Sequence, residues 1–378
     1  MMKTYLDAAA TVPMRKEALQ AYLETAESAF GNTQSLHDAG TEASNYLDSC
    51  RRIWGQLMNV RPDGFYFTGS ASEGNQLAIR SLLKGRPDHC RTIITTQLEH
   101  ASVLGVLHEL EREGYKIQYL PVDDTGILAN ETYEQAVNEE TALVVMQLVN
   151  SEMGAVQDIS RCASYAKRFG VPLHSDMVQG LGKLSVDLEE LGAASAIFSA
   201  HKIGGPKSVG IAYLDPRIHW QPVYEGTAHQ NGFRAGTIDV PGIVSATIAA
   251  KYAVAEQPEN YRTAVMLQNY LLENLPPGIE AVGNVEAKSP FIQGLLLPHV
   301  EGQWMMLECN RHQIAISTGT ACKIGAGEAM SAMLAMGVES DAARKFIRIS
   351  FFKETSQEDI RRFVDVVGAS VLDAGSQK

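Results

Sequence analysis

Cysteine is sparse in this chain, basic charge is not in surplus and long apolar runs are missing, and each shortage removes a class of function. Five cysteines, Cys50, Cys90, Cys162, Cys309 and Cys322, are scattered over 378 residues. That is too few for a disulfide scaffold, and an odd number cannot pair completely within one chain. In a reducing compartment each is a thiol whose surroundings decide its role. A formal net charge of -12 argues against nucleic acid as the primary ligand, because phosphate binding relies on clustered Lys and Arg. No segment approaches the length of a membrane span, and residues 1–7 lack the apolar stretch of a secretory signal. The expectation is a cytoplasmic protein that binds neither nucleic acid nor membrane. Linker-like tracts and internal repeats are also missing, so the chain reads as folded and globular throughout.

What is present is alternation. A helix-period stripe runs through Ala43, Tyr46, Leu47, Cys50, Trp54, Leu57 and Met58, which places Cys50 in a core. After it, β-rich runs alternate with helical stretches: Phe65 to Thr68, Thr92 to Thr95, Ile117 to Leu120, Leu143 to Met146, Val171 to His174 and Ala196 to Ser199. This pattern predicts an α/β domain with a mostly parallel sheet covered on both faces, over residues 15–250. From residue 251 long helical segments take over, with strands expected at Phe291 to Leu297, Gln313 to Ser317 and Phe346 to Phe351. Residues 1–14 and 251–378 are therefore expected to form a smaller α+β domain.

In an open parallel sheet, ligands sit beyond the carboxyl ends of the strands. Three strand ends carry chemistry. The first leads into Gly69-Ser70-Ala71-Ser72-Glu73-Gly74-Asn75, small residues at a helix start that suit a phosphate but equally suit an ordinary Ser-rich cap. The second delivers Ser175, Asp176 and, a turn later, Gln179. The third delivers Ser199-Ala200-His201-Lys202-Ile203-Gly204-Gly205-Pro206. A strand-end lysine with an acid on another strand end fits the pattern of a Schiff-base lysine and a carboxylate opposite the ring nitrogen of pyridoxal phosphate. Taken singly, Asp176 also reads as a helix cap and Lys202 as a solvated loop residue. No metal site is called for. Cys309 follows Trp304-Met305-Met306-Leu307 on an expected helix and reads as packing. Met330, Met333 and Met336 recur at helical spacing and read as core more readily than as a docking face.

The segment Ser199 to Lys207 resembles the cofactor-lysine segment of the cysteine desulfurases, a branch of the fold-type I, class V pyridoxal-phosphate enzymes. Further matches follow in order: Tyr5-Leu6-Asp7-Ala8-Ala9-Ala10-Thr11, Gly31 to His37, Glu99-His100, Val149 to Gly154, Arg234-Ala235-Gly236-Thr237, Ser317 to Cys322 and Ile347-Arg348-Ile349-Ser350. The resemblance implies that Lys202 carries the cofactor, Asp176 pairs with its ring nitrogen, Gln179 contacts its ring hydroxyl and His100 stacks on it and moves protons. It further implies that Ala71, Ser72, Ser199 and His201 bind the phosphate, with Thr237 reaching in from the second subunit of a homodimer. Arg348 would hold the carboxylate of an L-cysteine substrate, and Cys322 would receive its sulfur as a persulfide for an acceptor. Iron–sulfur assembly, quinolinate synthase and tRNA thiolation all remain open as destinations. The glycines around Cys322, namely Gly319, Gly325 and Gly327, give that loop the backbone freedom such a transfer needs. Ser151 stands where the family usually has a second Asn, so either Ser151 or Asn150 contacts the substrate. A selenocysteine lyase using the same cofactor, or a catalytically reduced assembly scaffold, are the competing interpretations.

Overall fold

The computed structural model describes residues 4–227, 229–283, 287–318 and 331–376. Cys322 and Met330 lie outside the described residues. The chain opens with β1 (Thr4–Tyr5), α1 (Lys16–Ser28) and α2 (Asp38–Met58). The predicted stripe of α2 is its buried face: Ala43, Leu47, Cys50, Trp54 and Met58 are all inside. Trp54 stacks on Phe198 at 5.8 Å and donates from its indole nitrogen to Thr247 Oγ1 at 3.1 Å. An indole N–H buried without a partner would be costly, so this bond fixes how α2 docks.

Seven strands follow: β2 (Phe65–Thr68), β3 (Thr92–Thr96), β4 (Lys116–Leu120), β5 (Thr141–Val145), β6 (Leu173–Asp176), β7 (Ser195–Ser199) and β8 (Gly210–Leu214). They form one sheet in the order β2-β8-β7-β6-β5-β3-β4. All pairings among β4, β3, β5, β6 and β7 are parallel, whereas β8 runs antiparallel to both β7 and β2. Strands β2, β5, β6, β7 and β8 are buried at every position, as a sheet covered on both faces requires. The helices between them include α3 (Ala71–Lys84), α4 (Ala101–Arg112), α5 (Asn130–Ala136), α6 (Ile159–Lys167) and α7 (Leu188–Leu191).

Strand β8 was not anticipated, because it follows the lysine loop directly and alternation with helices cannot reveal it. It has a positional role. Gly210 lies opposite Thr68 and Ser199, and a Cβ there would sit 2.4 Å from the Ser70 backbone. Glycine therefore lets the turn after β2 close down beside the end of β7.

A single helix, α8 (Val240–Glu273), leaves this region. Ile243, Ala246, Ala250 and Ala264 join the core of the large sheet, while Leu267 and Leu271 join a second core. The boundary expected between residues 250 and 251 thus falls inside one continuous helix. The remaining elements are β9 (Glu280–Val282), β10 (Ile292–Leu296), α9 (Gly302–Arg311), β11 (Ile314–Ala315), β12 (Ser317–Thr318), α10 (Ser331–Ala335), α11 (Ser340–Ala343), β13 (Phe346–Ser350) and α12 (Gln357–Ser376), and the second core is drawn from β10, α9, β11, β13 and α12. Strands β12-β13-β10-β9 make an antiparallel sheet, and β1 pairs with β11. The single strand expected over residues 313–317 is two short ones. Met333 is buried and Met336 packs beside it, which makes them core residues. Among the described residues no helix is long and apolar enough to cross a membrane.

Candidate active site

Asp176, Gln179, Ser199, His201, Lys202 and His100 lie where parallel strands end. Asp176 is the last residue of β6 and is 7% exposed. Its Oδ1 accepts the Val178 amide at 3.0 Å and its Oδ2 accepts Asn75 Nδ2 at 2.8 Å. Asn75 comes from the first turns of α3, and its second amide hydrogen goes to Ser102 Oγ at 3.0 Å. Ser102 in turn lies 2.8 Å from His100 Nδ1. His100 is the N-cap of α4, and its Nδ1 also accepts the Ser102 backbone N–H at 3.1 Å. The cap is a local consequence of sequence: a side chain acceptor in extended conformation satisfies an amide that the helix cannot. Because Nδ1 accepts, the proton of neutral His100 resides on Nε2.

Lys202 sits in the turn after β7 and donates to the carbonyls of Ala9 and Ala10 at 2.6 and 2.7 Å. The Ala9 carbonyl also accepts Gln179 Nε2 at 2.8 Å, and Lys183 donates to Gln179 Oε1. Lys183 is buried, and burial, with the charges of Lys202 and Arg348, lowers its pKa to about 7. Sequence alone gave it no role, since only the fold buries it. His201 hydrogen-bonds Thr11 Oγ1 through Nδ1 at 3.0 Å. Burial, followed by the charges of Lys202, Lys207 and Lys183, pushes its pKa down to about 4, so it is neutral near pH 7. Residues 6–15 therefore form a strap across the site, clamped at its far end by Arg15, which pairs with Glu256 at 2.7 Å and donates to the Ile203 carbonyl.

At the start of α3, Ser70 uses its hydroxyl to cap the helix, accepting the Glu73 amide. Ala71 is half-buried and Ser72 is exposed at the same helix end, while Ser199 is buried at the end of β7. Arg234 pairs with Glu73 at 3.0 Å. Thr237, three residues further, is exposed, and among the described residues no hydrogen bond joins it to the other candidates.

Arg348 projects from β13. Its Nη1 donates to the Ser151 carbonyl at 2.9 Å and its Nη2 to Asp7 Oδ1 at 2.6 Å. Its Nε is buried with no partner among the described residues. Asn150 is buried and committed to its own turn: Oδ1 accepts the amides of Glu152 and Met153, and Nδ2 donates to the Leu98 carbonyl. Glu99, beside His100, is buried too. Burial above all pushes its pKa up to about 8, with the Asp176 charge adding to the rise, and its Oε2 has no partner.

The four described cysteines are all buried. Burial raises the pKa values of Cys50, Cys162 and Cys309 to about 11, 12 and 12. Cys50, Cys162 and Cys309 are not available thiolates near pH 7 on these terms.

These residues fit a flat anionic cofactor. A lysine amine, a buried carboxylate whose far side is already bonded, and a helix N-terminus with a hydroxyl stand at adjoining strand ends. The description of aminotransferase class V matches residues 4–363 of the chain. A Bacillus subtilis protein described as a putative cysteine desulfurase NifS is 39% identical over 95% of this chain and 92% of its own length. The cysteine desulfurase IscS of Dictyoglomus turgidum is 30% identical over 97% and 93%. A solved structure described as a NifS-like protein superposes with a TM-score of 0.92 at 30% identity, covering 98% of this chain and all of that one. A likeness that spans both sheets and all the strand ends just described places this chain in the class-V aminotransferase family, among its cysteine desulfurase-like members.

Proposed function

We propose that this protein is a cysteine desulfurase that uses pyridoxal phosphate, converting L-cysteine to L-alanine and passing the sulfur to an acceptor. The observation that carries the proposal is Asp176, a buried strand-end carboxylate held in place by Asn75 beside the loop of Lys202. Lys202 would hold the cofactor, with Asp176 towards its ring nitrogen and His100 over it. Ala71, Ser72, Ser199 and His201 take its phosphate, and neutral His201 serves as a hydrogen-bonding group, not a cation. When bound, the cofactor supplies an electron sink for carbanion chemistry at the substrate.

The protein's own groups do the rest. As an uncharged amine, Lys202 Nζ is the base for the α proton, and His100 Nε2 carries the second movable proton. Arg348 offers its unmatched Nε to the substrate carboxylate, beside Ser151. Of the two candidates at that position Ser151 is favoured, because the Asn150 amide is already engaged. Gln179 is tied to Ala9 and Lys183, so its contact with the ring hydroxyl requires one of those bonds to be exchanged. Cys322 is assigned the sulfur on sequence grounds. Its thiolate bonds to the substrate sulfur, the carbon–sulfur bond breaks with its electrons on carbon, and a proton there completes alanine. Cysteine and one protein thiol thus become alanine and one protein persulfide. A cytoplasmic homodimer, with Thr237 of one subunit at the phosphate site of the other, completes the proposal.

Borohydride should fix the cofactor on the peptide containing Lys202. One turnover without reductant should add one sulfur to the peptide containing Cys322. Label on Lys207, or a Cys322→Ala enzyme that releases sulfide from cysteine at the wild-type rate, would refute the assignment.

A further inference from the structure

Asp176 and His100 are joined through Asn75 and Ser102, and a buried branch leads from Asn75 to groups that have no role so far. His174 in β6, Ser195 in β7 and Asn75 in α3 are all fully buried. His174 Nδ1 is 2.7 Å from Ser195 Oγ, and His174 Nε2 is 3.1 Å from Asn75 Oδ1.

The direction of each bond follows from chemistry. Were the Asn75 amide turned over, its oxygen would lie 2.8 Å from Asp176 Oδ2 and two acceptors would face each other. The amide nitrogen therefore points to Asp176, and the oxygen, which can only accept, receives a hydrogen from His174 Nε2. Burial lowers the His174 pKa to about 3, so the ring has one proton and Nδ1 accepts from Ser195. Both amide hydrogens of Asn75 are used, one on Asp176 and one on Ser102. Ser102, having accepted, gives its own hydrogen to His100 Nδ1.

We propose that Asn75 is a positioning residue that orients Asp176 and His100 together, and that His174 sets its amide the right way round. It rests on the roles given to Asp176 and His100 above. The consequence is electronic as well as geometric. A donor to a carboxylate lowers its basicity, so the bond from Asn75 keeps a shared proton on the cofactor's ring nitrogen and off Asp176. Removing that donor shifts the proton towards the carboxylate and weakens the sink.

The test uses holoenzyme loaded with cofactor labelled with nitrogen-15 in the ring, read by NMR, alongside histidine-labelled protein. Asn75→Leu and His174→Phe should both move the ring nitrogen towards its unprotonated shift and lower kcat roughly tenfold, with KM changed less. His174→Gln places an amide donor where Nε2 stood and should restore the wild-type ring signal. Ser102→Ala, at a half-buried site that tolerates truncation, should leave the ring signal alone and shift only His100 Nδ1. A wild-type ring signal in His174→Phe, or a Phe variant no different from the Gln variant, overturns the proposal. So does an unmoved His100 signal in Ser102→Ala. Asp176→Asn separates the two ideas: if it leaves the ring signal unchanged, the role of Asp176 itself fails. If it moves the signal while Asn75→Leu does not, only the role of Asn75 fails.

Discussion

The two charged ends of the site are built differently. At the Asp176 end, both carboxylate oxygens have a donor, and the chain behind them through Asn75, His174 and Ser195 is fully buried and bonded throughout. At the Arg348 end, one bond goes to a backbone carbonyl, one to the partly exposed Asp7, and one buried donor is left over. An unmet buried donor costs about 1–3 kcal/mol. The difference matches the two tasks. On the roles proposed for them, Asp176 would gain from having no alternatives as it faces a cofactor, and Arg348 would need a place kept open for a substrate that binds and leaves every turnover.

Four measurements break or sharpen that contrast. Asp176→Ala removes the keystone of the closed end and should lower kcat roughly a hundredfold or more, because a preorganised charge is lost where it faces the reacting system. A loss under tenfold would remove the distinction. Arg348→Ala should cut kcat/KM for cysteine by roughly ten- to a hundredfold, the worth of one charge-assisted bond. Arg348→Lys should recover only part of it, since an ammonium lacks the fork that a carboxylate matches. Equal activity of the Lys and wild-type enzymes would mean the fork is unused. Asp7→Asn keeps an acceptor beside Arg348 and removes its charge, so the internal competitor weakens and KM should fall, by roughly fivefold at most. A raised KM would show that Asp7 orients Arg348 more than it competes.

The smallest effect concerns an exception at the closed end, Glu99, whose Oε2 lacks a partner among the described residues. Its pKa rises on folding from 4.5 to about 8, so the folded protein holds an extra proton between those values. Stability from this group is complete below pH 4.5 and is lost as pH rises through 8. Glu99→Gln should therefore gain in melting temperature relative to wild type between pH 6 and pH 9, by about 2–4 °C. Parallel curves for the two proteins would show that Glu99 is ionised throughout.

Much of this arrangement was legible in the sequence. Parallel strands alternate with helices, so runs such as Phe65 to Thr68 and Ala196 to Ser199 announced themselves, and strand ends pointed to Asp176 and Lys202. Strand β6 ends at Asp176 itself, two residues later than the expected run. What sequence hid depends on long-range packing. Asn75 and His174 are 99 positions apart, and nothing in either neighbourhood indicates that they touch. Lys183 and Glu99 look like surface charges until the fold buries them. The expected boundary between residues 250 and 251 lies within α8 for a related reason: one helix serves two cores in turn, and composition changes along it before its backbone does.

The strap of residues 6–15 also carries a consequence in time. Ser350 donates its amide to the Leu6 carbonyl at 2.8 Å, and its hydroxyl accepts the Ala9 amide at 2.8 Å across 341 positions. Ala9 and Ala10 are the acceptors that hold Lys202. The strap precedes Ser350 in the chain and can take its place only after the strand around Ser350 has been made. Closing so long a loop is slow compared with forming local helices. The large sheet, which ends at residue 214, can form earlier in synthesis, but the lysine pocket cannot be finished until Ser350 has been made. Under the proposed function, loading of the cofactor at Lys202 has to wait for synthesis of the strand around Ser350.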